Sequence, residues 1–186
     1  KRLEKQRAEE IYSLMKKDFR EEELPDEKDF YTYVEDGSLL LYAYIEESKE
    51  KAYMVWIKKS DVVLITHLAV KAEYRGSGIG SKMIEEMVKT FPQIKQWFVE
   101  AETQKEANTE EEFKNIQRRL RFYEKLGFQR QEKIDYMLYG VSYYLYIKGE
   151  QEIEPVRLVQ TIKNLYGNHI PENKFYIKIR KENKRK

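Results

Sequence analysis

The segment LAVKAEYRGSGIG, residues 68–80, places three of the 8 glycines of a 186-residue chain at the alternate positions 76, 78 and 80. An apolar strand pattern, LITHLAV, leads into it, and an amphipathic helical pattern, SKMIEEMV, follows it. Glycine weakens regular structure, so such a cluster indicates that the backbone must approach another group closely. Free N–H groups and the helix dipole favour an anion at a helix N-terminus. We therefore expect an anion-binding loop between a strand and a helix.

Two common phosphate-binding motifs do not fit this loop. The dinucleotide fingerprint requires a third glycine where this chain has Ser81. The Walker A motif requires a lysine directly after its last glycine, but Gly80 is followed by Ser81 and then by Lys82. The remaining pattern is R-x-x-G-x-G, formed by Arg75, Gly78 and Gly80.

That pattern resembles the acetyl-CoA pyrophosphate loop of the GCN5-related N-acetyltransferases, the GNAT superfamily, in its bacterial type. A second segment, RFYEKLGF at residues 121–128, resembles the second cofactor-side segment of the same family. The resemblance covers residues 30–147. It implies a mixed α/β fold, with a central, mostly antiparallel twisted sheet flanked by helices. It also implies an N-acetyltransferase that takes acetyl-CoA as its donor substrate.

The resemblance also implies which residues hold acetyl-CoA. They are the strand residues Leu68, Ala69 and Val70, through their backbone groups, and the loop residues Arg75, Gly76, Ser77, Gly78, Ile79, Gly80 and Ser81. The N–H of Val70 would face the thioester oxygen as an oxyanion donor.

Tyr123 is the candidate general acid, because the family has a tyrosine at this place in its second segment. A phenol, with an ordinary pKa near 10, keeps its proton at neutral pH and can donate it to a leaving thiolate. The alternative is a core tyrosine, since Tyr123 lies on the apolar stripe of its helix and the chain has 15 tyrosines.

The general base has several candidates. Glu100 and Glu102 lie two residues apart on a strand and share one face, so that one carboxylate could raise the pKa of the other. A solvated strand edge explains the same pair without catalysis. His67 is a further candidate, because imidazole titrates in the useful range, but a hydrogen-bonded structural histidine is the commoner case.

Composition excludes several classes of chemistry. The chain has no cysteine and only 2 histidines, so we expect no disulfide, no cysteine nucleophile and no metal site. The net charge of +2 does not favour nucleic acid, and no apolar run is long enough for a membrane span. Residues 1–10 lack the apolar core of a secretory signal, and a cytoplasmic location is expected.

Arg118, Arg119 and Arg121 could contact the 3′-phosphate of the cofactor or form a solvated helix face.

Hydrophobic periodicity predicts helices and strands in mixed order. The predicted helices span 3–19, 81–91 and 154–166, and a further helix begins at the capping box of Thr109 and Glu112 and ends before Gly127. The predicted strands span 30–34, 39–45, 51–59, 61–70, 94–102, 141–147 and 174–179, with a hairpin at Asp36-Gly37 and a further strand from Phe128.

We predict an acetyltransferase domain at residues 1–149, followed by a C-terminal extension at 150–186. The extension could pack on the domain, cover the cleft or contact a homodimer partner. The acceptor, a primary amine of a small molecule or a protein, stays open, and with no cysteine nucleophile we expect direct attack. The alternatives are a non-catalytic acyl-CoA-binding or sensor module, and a nucleic-acid-associated protein that uses the basic tail RKENKRK.

Overall fold

The computed structural model describes residues 2–149, 153–167 and 170–180, with side chains from residue 6 onward. The chain divides into two compact units, Lys1–Lys95 and Gln96–Lys186, called unit 1 and unit 2 below. The basic tail at 181–186 and His169 lie outside the described residues. Within the described ranges, no helix has the length and apolar character needed to cross a bilayer.

Unit 1 combines three helices with an antiparallel meander. Its helices are α1 (Arg2–Asp18), α2 (Glu27–Glu35) and α3 (Ile79–Thr90), and its strands are β1 (Leu40–Glu46), β2 (Lys49–Lys59) and β3 (Val62–Val70). Strand β2 pairs with β1 on one side and with β3 on the other, antiparallel in both cases. Trp56, Tyr53 and Met54 of β2 are fully buried, because β2 is the middle strand of the meander.

Unit 2 arranges five strands and two helices in the order β4-β7-β6-β8, with β5 also paired to β7. Its elements are β4 (Gln96–Glu102), α4 (Glu110–Lys125), β5 (Gln129–Arg130), β6 (Ile134–Leu138), β7 (Val141–Gly149), α5 (Pro155–Tyr166) and β8 (Phe175–Ile179). The pairings among these strands are antiparallel. The core of unit 2 contains Phe98, Leu145, Tyr146 and Ile162, which are almost completely shielded from solvent. Both units thus show the mixed α/β class and antiparallel pairing that the sequence predicts.

The strand predicted at 30–34 is wrong, because this segment lies in helix α2. Phe30, Tyr33 and Val34 are spaced i, i+3 and i+4, so the same apolar pattern also suits one face of a helix. Phe30 is fully buried, and its ring centroid lies 5.0 Å from that of Tyr12 on α1. Gly37, at φ +80°, follows the end of this helix instead of forming a hairpin, because glycine reaches the left-handed conformation that ends helices.

The capping box predicted for α4 is confirmed. The hydroxyl of Thr109 accepts from the N–H of Glu112 at 3.1 Å, and the carboxylate of Glu112 accepts from the N–H of Thr109 at 3.1 Å. Gly127 follows the helix with φ +82°, as a C-terminal cap requires. Both ends of α4 are therefore specified by residues next to them in the sequence.

The C-terminal residues of the described chain belong to unit 2. Strand β8 pairs antiparallel with β6, with Tyr136 opposite Ile177, and α5 buries Leu158, Ile162 and Leu165. A domain boundary at 149/150 stays a prediction.

Candidate active site

The glycine loop joins β3 to α3 in unit 1. Gly76 and Gly78 adopt φ +79° and +83°, which residues with a Cβ rarely adopt, whereas Gly80 lies inside α3. A Cβ built at Gly76 or Gly78 would meet no protein atom within 4 Å. The turn therefore needs glycine for its backbone angles, and its surface leaves room for a ligand close to the main chain.

The N-terminus of α3 is suited to an anion. Gly78 is the N-cap residue, so no side chain caps the helix, and its first turn contains no acidic residue. The N–H of Lys82 donates to the carbonyl of Gly78 at 3.0 Å and is the first intrahelical bond of α3. The amides of Ile79, Gly80 and Ser81 precede that bond, so helical geometry gives them no acceptor within the helix. These amides, with the positive end of the helix dipole, can bind phosphate oxygens.

Arg75 is held by two groups of unit 1. Its Nε donates to the carbonyl of Val70 at 3.0 Å, and its Nη2 donates to Oδ1 of Asp18 at 2.9 Å. The other oxygen of Asp18 accepts from the hydroxyl of the buried Tyr53 at 3.0 Å. Asp18 therefore ties the loop to α1 and β2, and direct contact of Arg75 with a diphosphate stays a prediction.

The register of β3 sets the direction of its backbone groups. The N–H of Lys71 donates to the carbonyl of Lys51 at 2.9 Å, which makes this opposed pair a hydrogen-bonded one. Because such pairs alternate along an antiparallel ladder, the N–H and carbonyl of Val70 and of Leu68 point away from β2. Those of Ala69 point toward β2. The Ala69 amide is thus paired with β2, and backbone contact of acetyl-CoA with Leu68 and Val70 stays a prediction.

His67 has the environment of a structural histidine. Its Nε2 lies 3.1 Å from the carbonyl of Glu23, its Nδ1 lies 3.1 Å from the hydroxyl of Thr66, and the ring of Phe19 packs edge-on at 4.9 Å. Burial lowers the pKa of His67 to about 4, so the ring is neutral at pH 7 and a weak proton acceptor. Because a carbonyl can only accept, the neutral ring donates through Nε2–H to Glu23.

Glu100, on β4 of unit 2, is held by two tyrosines. The hydroxyl of Tyr136 on β6 donates to Oε1, and the hydroxyl of Tyr166 on α5 lies 2.8 Å from both Oε1 and Oε2. Burial raises the pKa of Glu100 to about 7, and the two phenol hydrogen bonds act in the opposite direction. The cause of the raised pKa is burial, not the neighbouring carboxylate that the sequence suggested. A carboxyl group with such a pKa can exchange a proton near neutral pH.

Glu102 lies on the same face of β4, two residues further on, but has a different environment. Its Oε2 accepts from Nη1 of Arg119 at 2.8 Å, and its side chain is almost completely buried. This ion pair joins β4 to α4, so Arg119 already has a structural partner. Arg118, one residue earlier, donates to the side chain of Asn115 at 3.0 Å.

Tyr123 lies on the buried face of α4, as the apolar stripe predicted. Its ring packs against those of Phe122, Phe128 and Tyr146, at centroid distances of 5.1, 5.8 and 6.1 Å. Burial raises the pKa of the Tyr123 phenol, with Arg119 opposing it, so the hydroxyl keeps its proton at neutral pH. Among the residues that the structure describes, this hydroxyl has no hydrogen-bond partner, although Tyr146 and Tyr136 in the same unit each have one. The proton of Tyr123 is thus not committed to another protein group.

The family of this chain can be identified from its match to a known protein family. Residues 26–130, more than half of the chain, match the family described as acetyltransferase (GNAT) domain. The chain belongs to the GNAT acetyltransferase family. The matched residues include the glycine loop, Glu100, Glu102 and Tyr123.

Solved structures of GNAT acetyltransferases share the fold at low sequence identity. A protein from Bacteroides thetaiotaomicron assigned to the GNAT family is 18% identical, with a TM-score of 0.67 over 84% of this chain and 89% of that one. NAA60 of Arabidopsis thaliana, in complex with acetyl-CoA, is 16% identical, with a TM-score of 0.57 over 77% and 93% of the two chains. An aminoglycoside 6′-N-acetyltransferase complexed with coenzyme A is 14% identical, with a TM-score of 0.56 over 79% and 92%. No curated protein sequence matches this chain.

Three side chains that contact the candidate GNAT residues were not predicted from the sequence. They are Asp18, which binds Arg75, and Tyr136 and Tyr166, which bind Glu100. Tyr136 is 36 residues from Glu100 in the chain, and Tyr166 is 66 residues away. The sequence predicts the helix that carries Tyr166 and a strand from Phe128 onward, but nothing local to the two tyrosines indicates which carboxylate they meet.

Proposed function

We propose that this GNAT-family chain transfers an acetyl group from acetyl-CoA to a primary amine by direct attack. The observation that carries the proposal is the loop of unit 1, where left-handed glycines lead into a helix N-terminus without a side-chain cap. The amides of Ile79, Gly80 and Ser81 would bind the diphosphate of coenzyme A, with Gly76, Ser77 and Gly78 shaping the turn and Arg75 fixing it to Asp18. Leu68 and Val70 would contact the pantetheine arm through backbone groups, with the Val70 N–H toward the thioester oxygen.

The chemistry has a balanced set of proton transfers. The amine nitrogen attacks the thioester carbonyl carbon, a C–N bond forms and the C–S bond breaks. Glu100 accepts the proton that the amine loses, because its pKa near 7 suits a base at neutral pH. Tyr123 donates its proton to the departing sulfur, and its hydroxyl has no described protein group competing for that proton. Glu102, paired with Arg119, supports β4 instead of serving as the base.

The acceptor is a primary amine of a small molecule or of a protein. The reaction needs no metal in this scheme, and the described residues contain no group of three or more His, Asp or Glu side chains placed to hold a metal ion. A cytoplasmic location is part of the proposal and agrees with a chain that has no cysteine.

Replacing Gly78 with alanine should weaken the binding of coenzyme A about tenfold. An alanine at φ +83° costs roughly 1–2 kcal/mol, so the loop relaxes away from the geometry that presents its amides. In addition, the new methyl group would stand where the diphosphate approaches the main chain. Titration calorimetry with coenzyme A measures the dissociation constant for the wild type and the variant.

Gly37→Ala is the matched control. Gly37 has φ +80°, and a Cβ there also meets no atom within 4 Å, but it lies after α2 and outside the loop. Both variants should lose similar thermal stability, and only Gly78→Ala should lose affinity. Wild-type affinity in both would mean that the loop does not bind the diphosphate.

A further inference from the structure

The side chains that hold Glu100 come from outside the residues that match the family. The match ends at residue 130, whereas Tyr136 lies on β6 and Tyr166 is the last residue of α5. Both rings are nearly inaccessible to solvent, with 3% and 6% of their surface exposed. The environment of Glu100 in unit 2 is therefore completed by a part of the chain that the family comparison leaves unassigned.

The C-terminal residues fix both tyrosines in place. Strand β8 pairs with β6 and sets Ile177 opposite Tyr136. The ring of Phe175, the first residue of β8, lies 5.9 Å from the ring of Tyr136 and 5.6 Å from that of Tyr166. The buried Leu165 and Ile162 hold the last two turns of α5 in the core of unit 2. Phe175 thus contacts both phenols, and neither ring can turn without disturbing packed neighbours.

The hydroxyls of Tyr136 and Tyr166 do not donate equally to the two carboxylate oxygens of Glu100. Oε1 accepts from both Tyr136 and Tyr166, whereas Oε2 accepts from Tyr166 alone. Because each carboxylate oxygen has two lone pairs, Oε2 keeps the greater capacity to accept a further proton. Glu100 is itself only partly buried, whereas the tyrosines are almost completely enclosed.

We propose that helix α5 and strand β8, within residues 153–167 and 170–180, complete the base site of this enzyme, with Tyr166 as a positioning residue that holds Glu100 so that Oε2 receives the proton of the amine. This inference rests on the proposed acetyl transfer and deepens it. It gives the C-terminal extension a role in acetyl transfer, namely positioning the proposed base Glu100.

The groups facing Glu100 determine how its ionisation responds to a substitution. They are Tyr136 from β6 and Tyr166 from α5, and Tyr143 of β7 lies beside them, with its ring 6.3 Å from that of Tyr136. A phenol that donates to the carboxylate stabilises the charged form and so lowers the pKa. Removing the hydroxyl of Tyr166 takes this stabilisation away while burial remains, so the pKa of Glu100 should rise.

Tyr166→Phe should therefore move the acidic limb of the kcat/KM profile upward by about one pH unit, since a hydrogen bond to a charged group has about that effect. Activity at neutral pH should fall, and at alkaline pH it should approach that of the wild type, because raising the pH restores the carboxylate. A variant that merely lost structure would lose activity at every pH. Tyr136→Phe removes the other donor and serves as the second variant should Tyr166→Phe fold poorly.

Tyr144→Phe is the matched control for the loss of a hydroxyl. The hydroxyl of Tyr144 on β7 donates to the side chain of Gln104 at 2.9 Å, away from Glu100. Its pH profile should coincide with that of the wild type. An acidic limb unchanged in both Tyr166→Phe and Tyr136→Phe would overturn the inference.

A titration of the Glu100 carboxyl carbon by nuclear magnetic resonance separates this inference from the proposed function. Glu100→Gln assigns the signal, and the titration needs no turnover. An upward shift of the midpoint in Tyr166→Phe supports the positioning role, and an unchanged midpoint overturns it. Absence of amine-dependent turnover in the wild type would overturn the proposed function, while the titration still decides whether Tyr166 controls the ionisation of Glu100.

Discussion

Glu100→Gln should lower kcat about 10²- to 10⁴-fold, which is the range expected for the loss of a general base. Glutamine has the same shape as glutamate, and its amide oxygen can still accept from Tyr136 and Tyr166, but it cannot take a proton from an amine. The affinity for coenzyme A should not change, because the proposed diphosphate ligands are the loop amides of unit 1. Steady-state kinetics with a fixed amine, together with calorimetry, measure the two effects.

The pH dependence of stability provides an internal check on this variant. The pKa of Glu100 is raised from 4.5 to about 7 in the fold, so the folded protein keeps a proton that the unfolded chain releases over this range. Glu100 therefore makes the wild type less stable as the pH rises from 4.5 through 7. Glu100→Gln lacks this loss and should gain stability relative to the wild type toward pH 8. A gain in stability with a loss of turnover excludes misfolding as the cause.

Glu102→Gln tests the other carboxylate of the pair. It should lose the ion pair with Arg119 and some stability, yet keep most of the turnover. The reverse pattern, with Glu100→Gln active and Glu102→Gln inactive, would assign the base to Glu102 and contradict the proposed scheme.

Tyr123→Phe should reduce kcat about 100-fold at neutral pH, as expected for the loss of a general acid. The ring and its contacts with Phe128 and Tyr146 are kept, so only the proton donor is removed. Since the hydroxyl makes no hydrogen bond to another described residue, its removal should cost little folding stability. Burst and steady-state measurements of thiol release, with calorimetry for coenzyme A, give the turnover and the affinity.

Tyr146→Phe is the control for this prediction. Tyr146 is a fully buried tyrosine in the same unit, and its hydroxyl donates to Glu124 at 3.2 Å. It should lose stability and keep turnover, the opposite of Tyr123→Phe. Equal turnover in Tyr123→Phe and the wild type would make Tyr123 a packing residue, as its place on the apolar stripe also allows.

The parts of the fold that local sequence specifies could be predicted. The left-handed glycines 76 and 78, the capping box of α4 and the glycine after its end each depend on residues adjacent in the chain. The family segments could be recognised for the same reason. Backbone geometry at a turn is set by which residues tolerate it, and that information is local.

Other features depended on tertiary packing and could not be predicted. The segment around Phe30 suits a strand or a helix by pattern, and packing against Tyr12 of α1 is observed only in the structure. Likewise, nothing near Glu100 indicates the phenols of Tyr136 and Tyr166, because strand order and register determine that contact. The sequence suggested that one carboxylate of the pair Glu100 and Glu102 raises the pKa of the other. In the structure, Glu100 is bound by two tyrosines and Glu102 by Arg119.

Release of coenzyme A thiol from acetyl-CoA, measured against a panel of primary amines, tests the central claim most directly. The panel should include polyamines, amino sugars, lysine peptides and peptides with free N-termini. Acetyl transfer predicts thiol release that depends on one class of amine, equals the acetylated product mole for mole and falls to background in Glu100→Gln. Tight binding of acetyl-CoA with thiol release that no amine increases, identical in the wild type and Glu100→Gln, would contradict it and indicate a binding module without catalysis.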